Sequence, residues 1–227
     1  MGMIHAGMAS HGMAWFAREQ TTGKGQRGKN WISEPGKNIL LSLVIQPQSL
    51  DNSRQFVLSA AMALACFEFF SFYSGNQAKI KWPNDLYWRD RKAGGILIEN
   101  VFHGNKWKYA VVGIGININQ VDFDRALKNP VSLKQITGSE YDTLALAEEL
   151  YTKLMNRAST LNASSYERII QEYNQHLYGL NEKLRLKKGN RVFETLVKGV
   201  SANGHLLTSD AIENEFDFGE VEWVIDN

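Results

Sequence analysis

Residues 20–31 read Gln-Thr-Thr-Gly-Lys-Gly-Gln-Arg-Gly-Lys-Asn-Trp. The stretch contains three glycines, which let a backbone approach a ligand closely: Gly23, Gly25 and Gly28. It also contains three positive charges and no carboxylate: Lys24, Arg27 and Lys29. Such a segment is typical of a loop that holds an anion, although a solvated, glycine-rich surface loop has the same composition. The secondary structure on either side of the loop decides which fold is compatible with it.

Two common phosphate-binding motifs resemble this loop, and its flanks exclude both. As Gly-x-Gly-x-x-Gly it needs a helix that opens on the last glycine. As Gly-x-x-x-x-Gly-Lys it needs Ser or Thr at the next position, where Asn30 stands. A strand is predicted before the loop, over residues 12–18, but a turn-rich segment follows and leads into another strand, residues 38–46. No helix N-terminus is therefore expected, and neither a Rossmann fold nor a P-loop fold is predicted.

The composition is typical of a soluble globular protein and limits its partners. The 227 residues are 44% hydrophobic and 22% charged, with a formal net charge of +1. This near-neutral balance argues against bulk binding to nucleic acid or to a membrane surface. The apolar run at residues 60–70 is interpreted as too short to span a bilayer, and we expect a cytoplasmic protein. The single cysteine, Cys66, excludes an intrachain disulfide, and the histidines show no metal-ligand spacing.

Hydrophobic periodicity predicts three helices. Residues 51–71 are apolar on almost every side, which indicates a helix buried against a sheet. Residues 142–161 and 164–178 have amphipathic helical spacing; Ser164 and Glu167 are interpreted as a capping box, and Gly179 as the stop signal. Residues 1–10 are interpreted as the tail of a further helix followed by a turn.

A second informative block covers residues 79–99. Pro83 ends one strand because it cannot donate a ladder hydrogen bond, so Asn84 and Asp85 lie at a strand end, where polar side chains can face a ligand. Strands are predicted at residues 86–88, 95–103 and 106–119, with a charged turn at 89–92. The block is therefore a meander.

The last of these strands has an unusual alternation. Ile114, Ile116 and Ile118 point to one face, while the other face carries two glycines and two asparagines: Gly113, Gly115, Asn117 and Asn119. Glycines inside a strand leave the sheet surface bare, which favours a ligand lying flat against the backbone. A β-bulge or a close helix crossing is the alternative explanation.

The pattern changes near residue 181. Short strands are predicted at residues 191–200, 205–208, 214–218 and 221–225, with a hairpin turn at Asn203-Gly204. We place a domain boundary there, which divides a catalytic, ligand-binding domain (1–180) from a small β-barrel-like module (181–227).

Four motifs in series resemble biotin protein ligases of the monofunctional kind that lack a DNA-binding domain. They are residues 23–31, Lys81-Trp-Pro-Asn-Asp85, Lys92-Ala-Gly-Gly95 and Gly113-Ile-Gly-Ile-Asn117. The resemblance implies an α+β fold of the class II synthetase type, with a mixed, largely antiparallel sheet, packed helices and a C-terminal SH3-like barrel. It also implies that the chain joins biotin to AMP, using ATP with Mg²⁺, and transfers biotin to a lysine of a biotin carboxyl carrier protein. Neither DNA nor a membrane is implied as a partner.

The resemblance implies biotin contacts in several of the motifs. Gln20 would hydrogen-bond the ureido end of biotin, and Gly113 and Gly115 would form the floor of its pocket. Lys92 would neutralise the biotin carboxylate and then the α-phosphate. The other implied biotin-binding residues are Gly23, Lys24 and Gly94.

The same resemblance implies an ATP site. Trp31 offers a face to adenine, and Asn84 or Asn117 can bind its polar edge. Asp85 is the candidate for orienting the acceptor lysine and taking its proton. The residues implied over the phosphates are Lys24, Gln26, Arg27 and Lys29; the implied catalytic set is Lys92, Asp85 and Arg27.

Three departures from the family pattern are expected to matter. The family usually has arginine at the positions of Lys24 and Gln26, and Gln26 has no charge, so we predict weaker retention of the adenylate. The family also carries an Asp-Ser-Thr-Asn segment before the helix whose tail is residues 1–7, and we predict a chain that is short at its N-terminus.

Two other functions compete with this interpretation. Lipoate protein ligases share the general fold, but their Arg-Arg-x-Ser-Gly-Gly-Gly block and His-Asp pair do not occur in this sequence. A non-enzymatic biotin or adenylate sensor is the other alternative. The resemblance implies either a monomer or a homodimer paired through sheet edges.

Overall fold

A six-stranded antiparallel sheet forms the frame of the protein in a computed structural model, which describes residues 2–225. Its strands are β1 (Ala14–Phe16), β2 (Asn38–Ile45), β3 (Ala78–Lys81), β4 (Asp85–Trp88), β5 (Arg91–His103) and β6 (Lys106–Asn117). They are ordered β1-β2-β6-β5-β4-β3, and every pair of neighbours is antiparallel. The α+β class is confirmed, but these strands form no mixed sheet.

Four helices cover one face of this sheet: α2 (Gln55–Ser74), α3 (Leu133–Thr137), α4 (Thr143–Ser159) and α5 (Tyr166–Gln175). The short helix α1 (Gly2–His5) lies against the other face, where Ile4 packs with Val44 and Tyr109. Strand β2 sends alternate, fully buried side chains into the core that the four helices enclose: Ile39, Leu41, Leu43 and Ile45. Because side chains alternate across a strand, the opposite sheet face is left for other uses. The short helix α1 agrees with the predicted helix tail; Met1 lies outside the described residues.

Helix α2 corrects one expectation. The stretch Asn52–Ser74 is long and apolar enough to cross a membrane by length and composition, so the argument that it is too short was wrong. It is instead the core helix, with both its start and its middle buried, as Val57 and Met62 illustrate. A short 3-10 turn, Asn52–Arg54, precedes it, which explains the predicted start at residue 51.

Asp142 and Asn162 provide the N-caps at the start of the last two helical segments. Asp142, at the start of the helix predicted over residues 142–161, is the N-cap of α4, since its carboxylate accepts from the backbone N–H groups of Leu144 and Ala145. The Ser164–Glu167 capping box was wrong: Asn162 is the cap, paired with Ser165, on a 3-10 turn that leads into α5. The helix also ends at Gln175, before the predicted stop at Gly179. Competing caps two residues apart explain the error.

Arg157 ties α4 to its two neighbouring helices. Its guanidinium forms a forked pair with Glu172 of α5, in which Nη1 lies 2.8 Å from Oε2, and it also pairs with Glu68 of α2. The hydrogen bonds to Glu172 are the main cause that raises the pKa of Arg157 and lowers that of Glu172. The forked pair fixes the orientation of α5 against α4, and the pair with Glu68 joins α4 to the core helix.

A second sheet follows at the C-terminal end of the chain. Its strands are β7 (Lys183–Lys188), β8 (Arg191–Val200), β9 (Leu206–Ser209), β10 (Glu213–Phe216) and β11 (Glu222–Val224). The order is β10-β9-β8-β7-β11, so in the described residues the strands form an open sheet and not a closed barrel. Strand β7 was missed by the sequence analysis. The Asn203-Gly204 turn does join β8 to β9, as predicted.

Candidate functional site

One row of directly opposed residues crosses the face of the large sheet opposite the main helical core. From β3 to β2 it runs Lys81, Asp85, Gly95, Gly115 and Leu40. Opposed residues in antiparallel strands point to the same face. The Lys-Trp-Pro-Asn-Asp, Lys-x-Gly-Gly and Gly-x-Gly-x-Asn motifs therefore meet on one side of the sheet.

A β-bulge brings Lys92 to this face. Leu86 pairs with Gly94, but the next residue, Tyr87, pairs with Lys92, so Ala93 is the extra residue. In a regular strand Lys92 and Gly95, three positions apart, would point to opposite faces. The extra residue puts Lys92 and Gly95 on the same face, and bulges are common next to functional sites.

Lys92 and Asp85 form the charged centre of the site. The Lys92 Nζ donates to the Asp85 Oδ1 at 2.7 Å, and both side chains are partly buried. A Cβ on Gly95 would lie 3.2 Å from that Oδ1 and 3.6 Å from the Nζ. Gly95 thus leaves room for the ion pair, whereas the predicted Gly94 contacts the backbone of Gly115 on the other face.

The backbone of Lys92 is fixed as firmly as its side chain. Its N–H donates to the Asn129 carbonyl and its carbonyl accepts from Val131, each at 2.9 Å. Asn117 completes this arrangement, because its side-chain amide donates to the Val131 carbonyl at 3.1 Å and reaches the Lys92 carbonyl at 3.5 Å. Asn117, which was predicted to contact adenine, thus directs its amide donors to backbone carbonyls.

The glycine-rich loop is a narrow hairpin. Lys24 bridges Asn30, and the Trp31 N–H donates to the Gly23 carbonyl at 2.9 Å. A Cβ on Gly23 would lie 2.3 Å from the Trp31 carbonyl oxygen, so only glycine permits this closure. The tip is a 3-10 turn over Gln26–Gly28, after which the chain continues toward β2 without a helix. The exclusion of Rossmann and P-loop folds is confirmed.

Trp31 connects the loop to the sheet. Its indole packs on Gly115 so closely that a Cβ there would lie 2.5 Å from Cε2 and 2.8 Å from Nε1. The Lys92 Nζ lies 5.9 Å from the centre of an indole ring, within the range of a cation–π contact. Among residues 2–225 the buried Nε1 has no hydrogen-bonding partner. The loop and Lys92 thus belong to one site.

The loop also touches the second sheet. Arg27, whose φ of 55° is left-handed, donates from Nη1 to the Gly219 carbonyl at 3.0 Å. Next to it, the ring of Phe218 lies edge-on to Trp82, with ring centres 6.1 Å apart. The turn between β10 and β11 therefore contacts two of the four motifs. No local feature of the sequence indicates this contact.

The remaining predicted residues lie around this centre. Asn84 is buried, and its side-chain amide donates to the Ile96 carbonyl, so it joins β4 to β5. Gly113 has space above it, since a Cβ would meet nothing nearer than the Leu97 carbonyl oxygen at 3.5 Å. Gln20 lies over Gly23. Gln26 is partly exposed. The charged side chains of the loop are exposed: Lys24, Arg27 and Lys29.

A cation that the sequence analysis did not assign lies at the end of the row. The Lys81 Nζ lies 4.9 Å from the ring centre of Tyr87 and 5.6 Å from that of Trp223 in β11. Burial lowers the pKa of Lys81 to about 8; the Asp85 carboxylate opposes this, while Lys92, Lys29 and Lys128 add to it. Within residues 2–225, no three His, Cys, Asp or Glu side chains lie close enough to hold a metal ion.

Comparison with known proteins agrees with this arrangement. Residues 7–117 match the biotin/lipoate A/B protein ligase family. The bifunctional ligase/repressor BirA of Bacillus subtilis is 29% identical over 203 residues, which cover 88% of this chain and 62% of that protein. The biotin–[acetyl-CoA-carboxylase] ligase of Paracoccus denitrificans is 29% identical over 86% of this chain and 84% of its own length.

Solved structures extend the likeness to the fold. The biotin protein ligase from Aquifex aeolicus in complex with biotin and ATP superimposes with a TM-score of 0.79 at 24% identity, covering 94% of this chain and 89% of that one. The likeness includes the second sheet, since the aligned part is nearly the whole chain. This chain spans just under two thirds of the length of the Bacillus relatives.

Proposed function

We propose that this chain, which belongs to the biotin/lipoate A/B protein ligase family, activates biotin with ATP and transfers it to a lysine of a biotin carboxyl carrier protein. The observation that carries the proposal is the convergence of four motifs: Trp31 of the loop packs on Gly115, and both lie beside the Lys92–Asp85 ion pair. A carboxylate and a phosphate are anions, and this site presents an ammonium on a bare sheet.

The first step joins biotin to AMP. An oxygen of the biotin carboxylate attacks the α-phosphorus of ATP, the bond from that phosphorus to the bridging oxygen breaks, and pyrophosphate leaves. Lys92 stabilises the carboxylate and then the negative charge that grows on the α-phosphate oxygens. Its ammonium is compact and already partly desolvated beside Trp31, which strengthens this effect.

The second step transfers the biotinyl group. The neutral amine of the acceptor lysine attacks the carbonyl carbon of the mixed anhydride, and AMP leaves. Asp85 is 25% exposed, so it can receive the proton that the acceptor ammonium loses. Lys92 binds one oxygen of Asp85, and an anion bound at the site would give Lys92 a second partner.

The other assignments follow from the same placement. Gly113 is the open part of the floor, suited to biotin, while Trp31 offers its outer face to adenine. Lys24, Gln26, Arg27 and Lys29 would lie over the phosphates. Mg²⁺ enters with ATP, and such ions use one or two carboxylates besides phosphate oxygens. Asp85 is the carboxylate that the site offers.

Two finer points of structure complete the proposal. The five-stranded C-terminal sheet is the counterpart of an SH3-like module, and residue 181, just before β7, is its boundary. Gln20 and Gly94 keep the biotin-side roles implied by the family resemblance, Gln20 as a direct hydrogen-bonding group and Gly94 through close packing of β5 on β6.

The test is transfer of labelled biotin to a carrier domain, together with biotin-dependent exchange between ATP and pyrophosphate. The intact chain should catalyse both, and Lys92→Ala should lose roughly 100-fold or more in the exchange rate. Exchange that responds to lipoate and not to biotin would assign the chain to the lipoate branch. Tight biotin binding without any exchange would show that the chain is a non-enzymatic biotin sensor.

A further inference from the structure

Lys81 stands at the end of the site row, between two aromatic rings. Within residues 2–225 its ammonium forms no hydrogen bond and no salt bridge; its close contacts are the ring faces of Tyr87 and Trp223. It shares the sheet face of Asp85, directly opposite it in the β3–β4 ladder. An ammonium held between two rings keeps its three N–H donors for another acceptor.

The charges around Lys81 select the sign of that acceptor. The nearby carboxylate, Asp85, is already bound to Lys92 at 2.7 Å. Lys29 and Lys128 also lie near enough to act on Lys81 electrostatically. Three further ammonium groups thus act on Lys81 against one engaged carboxylate, and an anion with several charges would stabilise this concentration of positive charge.

The position along the row selects which anion. Lys92, on β5, lies beside Trp31 and Asp85, where the carboxylate and the α-phosphate are proposed to meet. Strand β3 lies two strands beyond β5, which is about 10 Å at the usual spacing. Lys81 therefore lies beyond the reacting centre, on the side away from Trp31, where the β- and γ-phosphates would follow the α-phosphate.

We propose that Lys81 is a further ATP-binding residue, which contacts the pyrophosphate end of the triphosphate, and that Trp223 of the C-terminal sheet is its positioning residue. The inference rests on the proposed function, because it deepens the ATP site. It gives the second sheet a part in the first half-reaction: β11 supplies one wall of the Lys81 site, with the Trp223 ring 5.6 Å from the ammonium.

Lys81→Met tests the binding role, since methionine keeps the unbranched shape and removes the charge. The KM for ATP, and the KM for pyrophosphate in the exchange assay, should rise about 10- to 100-fold, as for loss of a charged hydrogen bond. Transfer from preformed biotinyl-5′-AMP to a carrier domain should stay within about twofold, because pyrophosphate has already left. Lys81→Arg should restore part of the lost affinity.

Lys79→Met is the matched control. Lys79 lies on the same strand and points to the same face, but it pairs with Tyr87 and not with Asp85. Its KM values should equal those of the parent chain. If Lys81→Met also leaves both KM values unchanged, or slows transfer from the preformed adenylate as much as it slows adenylation, the inference is wrong.

The positioning role of Trp223 has its own test. Trp223→Phe keeps a ring face and should change the KM for ATP by less than about threefold, whereas Trp223→Leu should raise it toward the Lys81→Met value. Combined with Lys81→Met, Trp223→Leu should add nothing further, because the two side chains act as one unit. Additive effects would remove Trp223 from the inference.

A parent chain that shows no biotin-dependent exchange at all would refute the proposed function itself. Normal exchange in the parent together with unchanged KM values in Lys81→Met would refute only the role of Lys81. The two failures therefore have different signatures.

Discussion

Substituting Gly115 by alanine should displace Trp31 and with it the glycine-rich loop. The new methyl group would lie 2.5 Å from Cε2, 2.7 Å from Cζ2 and 2.8 Å from Nε1 of the indole, and ordinary contact begins near 3.4 Å. The ring therefore has to retreat by about 0.9 Å. It cannot do so alone, because the Trp31 N–H is bound to the Gly23 carbonyl at 2.9 Å.

This displacement has two measurable consequences. Overpacking of this kind costs about 1–3 kcal/mol in the free energy of unfolding, which lowers the Tm by roughly 2–4 °C per kcal/mol for a chain of this size. A shift of about 1 Å in a residue that positions the substrate can lower kcat/KM about 100-fold, and here the loss should appear with ATP. Thermal unfolding and steady-state adenylation measure the two effects.

Gly113→Ala is the matched control on the same strand and face. Its methyl group has 3.5 Å to the nearest atom, so the free energy of unfolding should stay within about 0.5 kcal/mol of the parent. Because Gly113 is the open part of the proposed floor, the KM for biotin should rise while the KM for ATP stays constant. If Gly115→Ala matched the parent in both Tm and KM for ATP, the packing of Trp31 on Gly115 would play no part in stability or nucleotide binding.

Three further predictions concern charge. The KM for ATP should rise as the pH increases through about 8, because Lys81 loses its proton there, and Lys81→Met should abolish that rise. Arg157→Met should lower the free energy of unfolding by about 2–3 kcal/mol near pH 7, since two glutamates lose their partner. This loss of stability should shrink below about pH 4.5. The pKa of Glu172 is lowered in the folded state, so its contribution to stability is present above the unfolded pKa and disappears as the pH falls further. An unchanged difference in stability between variant and parent at pH 3 would contradict this. Gln26→Arg should slow the release of biotinyl-5′-AMP about tenfold in a competition assay, through one added charge contact, and an unchanged release rate would show that Gln26 lies away from the adenylate.

Features of the chain that depend on local chemistry could be predicted from the sequence. Glycines that must approach another backbone, such as Gly23, and a proline that ends a strand, such as Pro83, have the same consequence in any fold. Residues whose function depends on distant parts of the chain were not predicted. Nothing near Lys81 in the sequence indicates that Trp223 lies against it, since the contact joins two separate sheets.

The elements that the sequence missed have weak local signals. Strand β7 alternates Leu184 and Leu186 with lysine and arginine, so its composition resembles a charged surface turn. Helix α3 has five residues, Leu133–Thr137, which is too short for a helical period to emerge. Both elements depend on tertiary pairing, and Leu186 is fully buried once β7 lies between β8 and β11.

The Lys-x-Gly-Gly motif shows why a motif can be recognised before its geometry can be derived. Lys92 and Gly95 are three residues apart, so strand alternation predicts opposite faces for them and directs attention to Gly94, two residues from Lys92. The bulge at Ala93 changes that parity: Gly95 comes to lie under the ion pair and Gly94 against the backbone of Gly115. One lysine and two adjacent glycines thus perform three separate tasks, namely charge, space for that charge, and close strand packing. Because a bulge is set by pairing with β4, its position follows from the sheet and not from the four residues themselves.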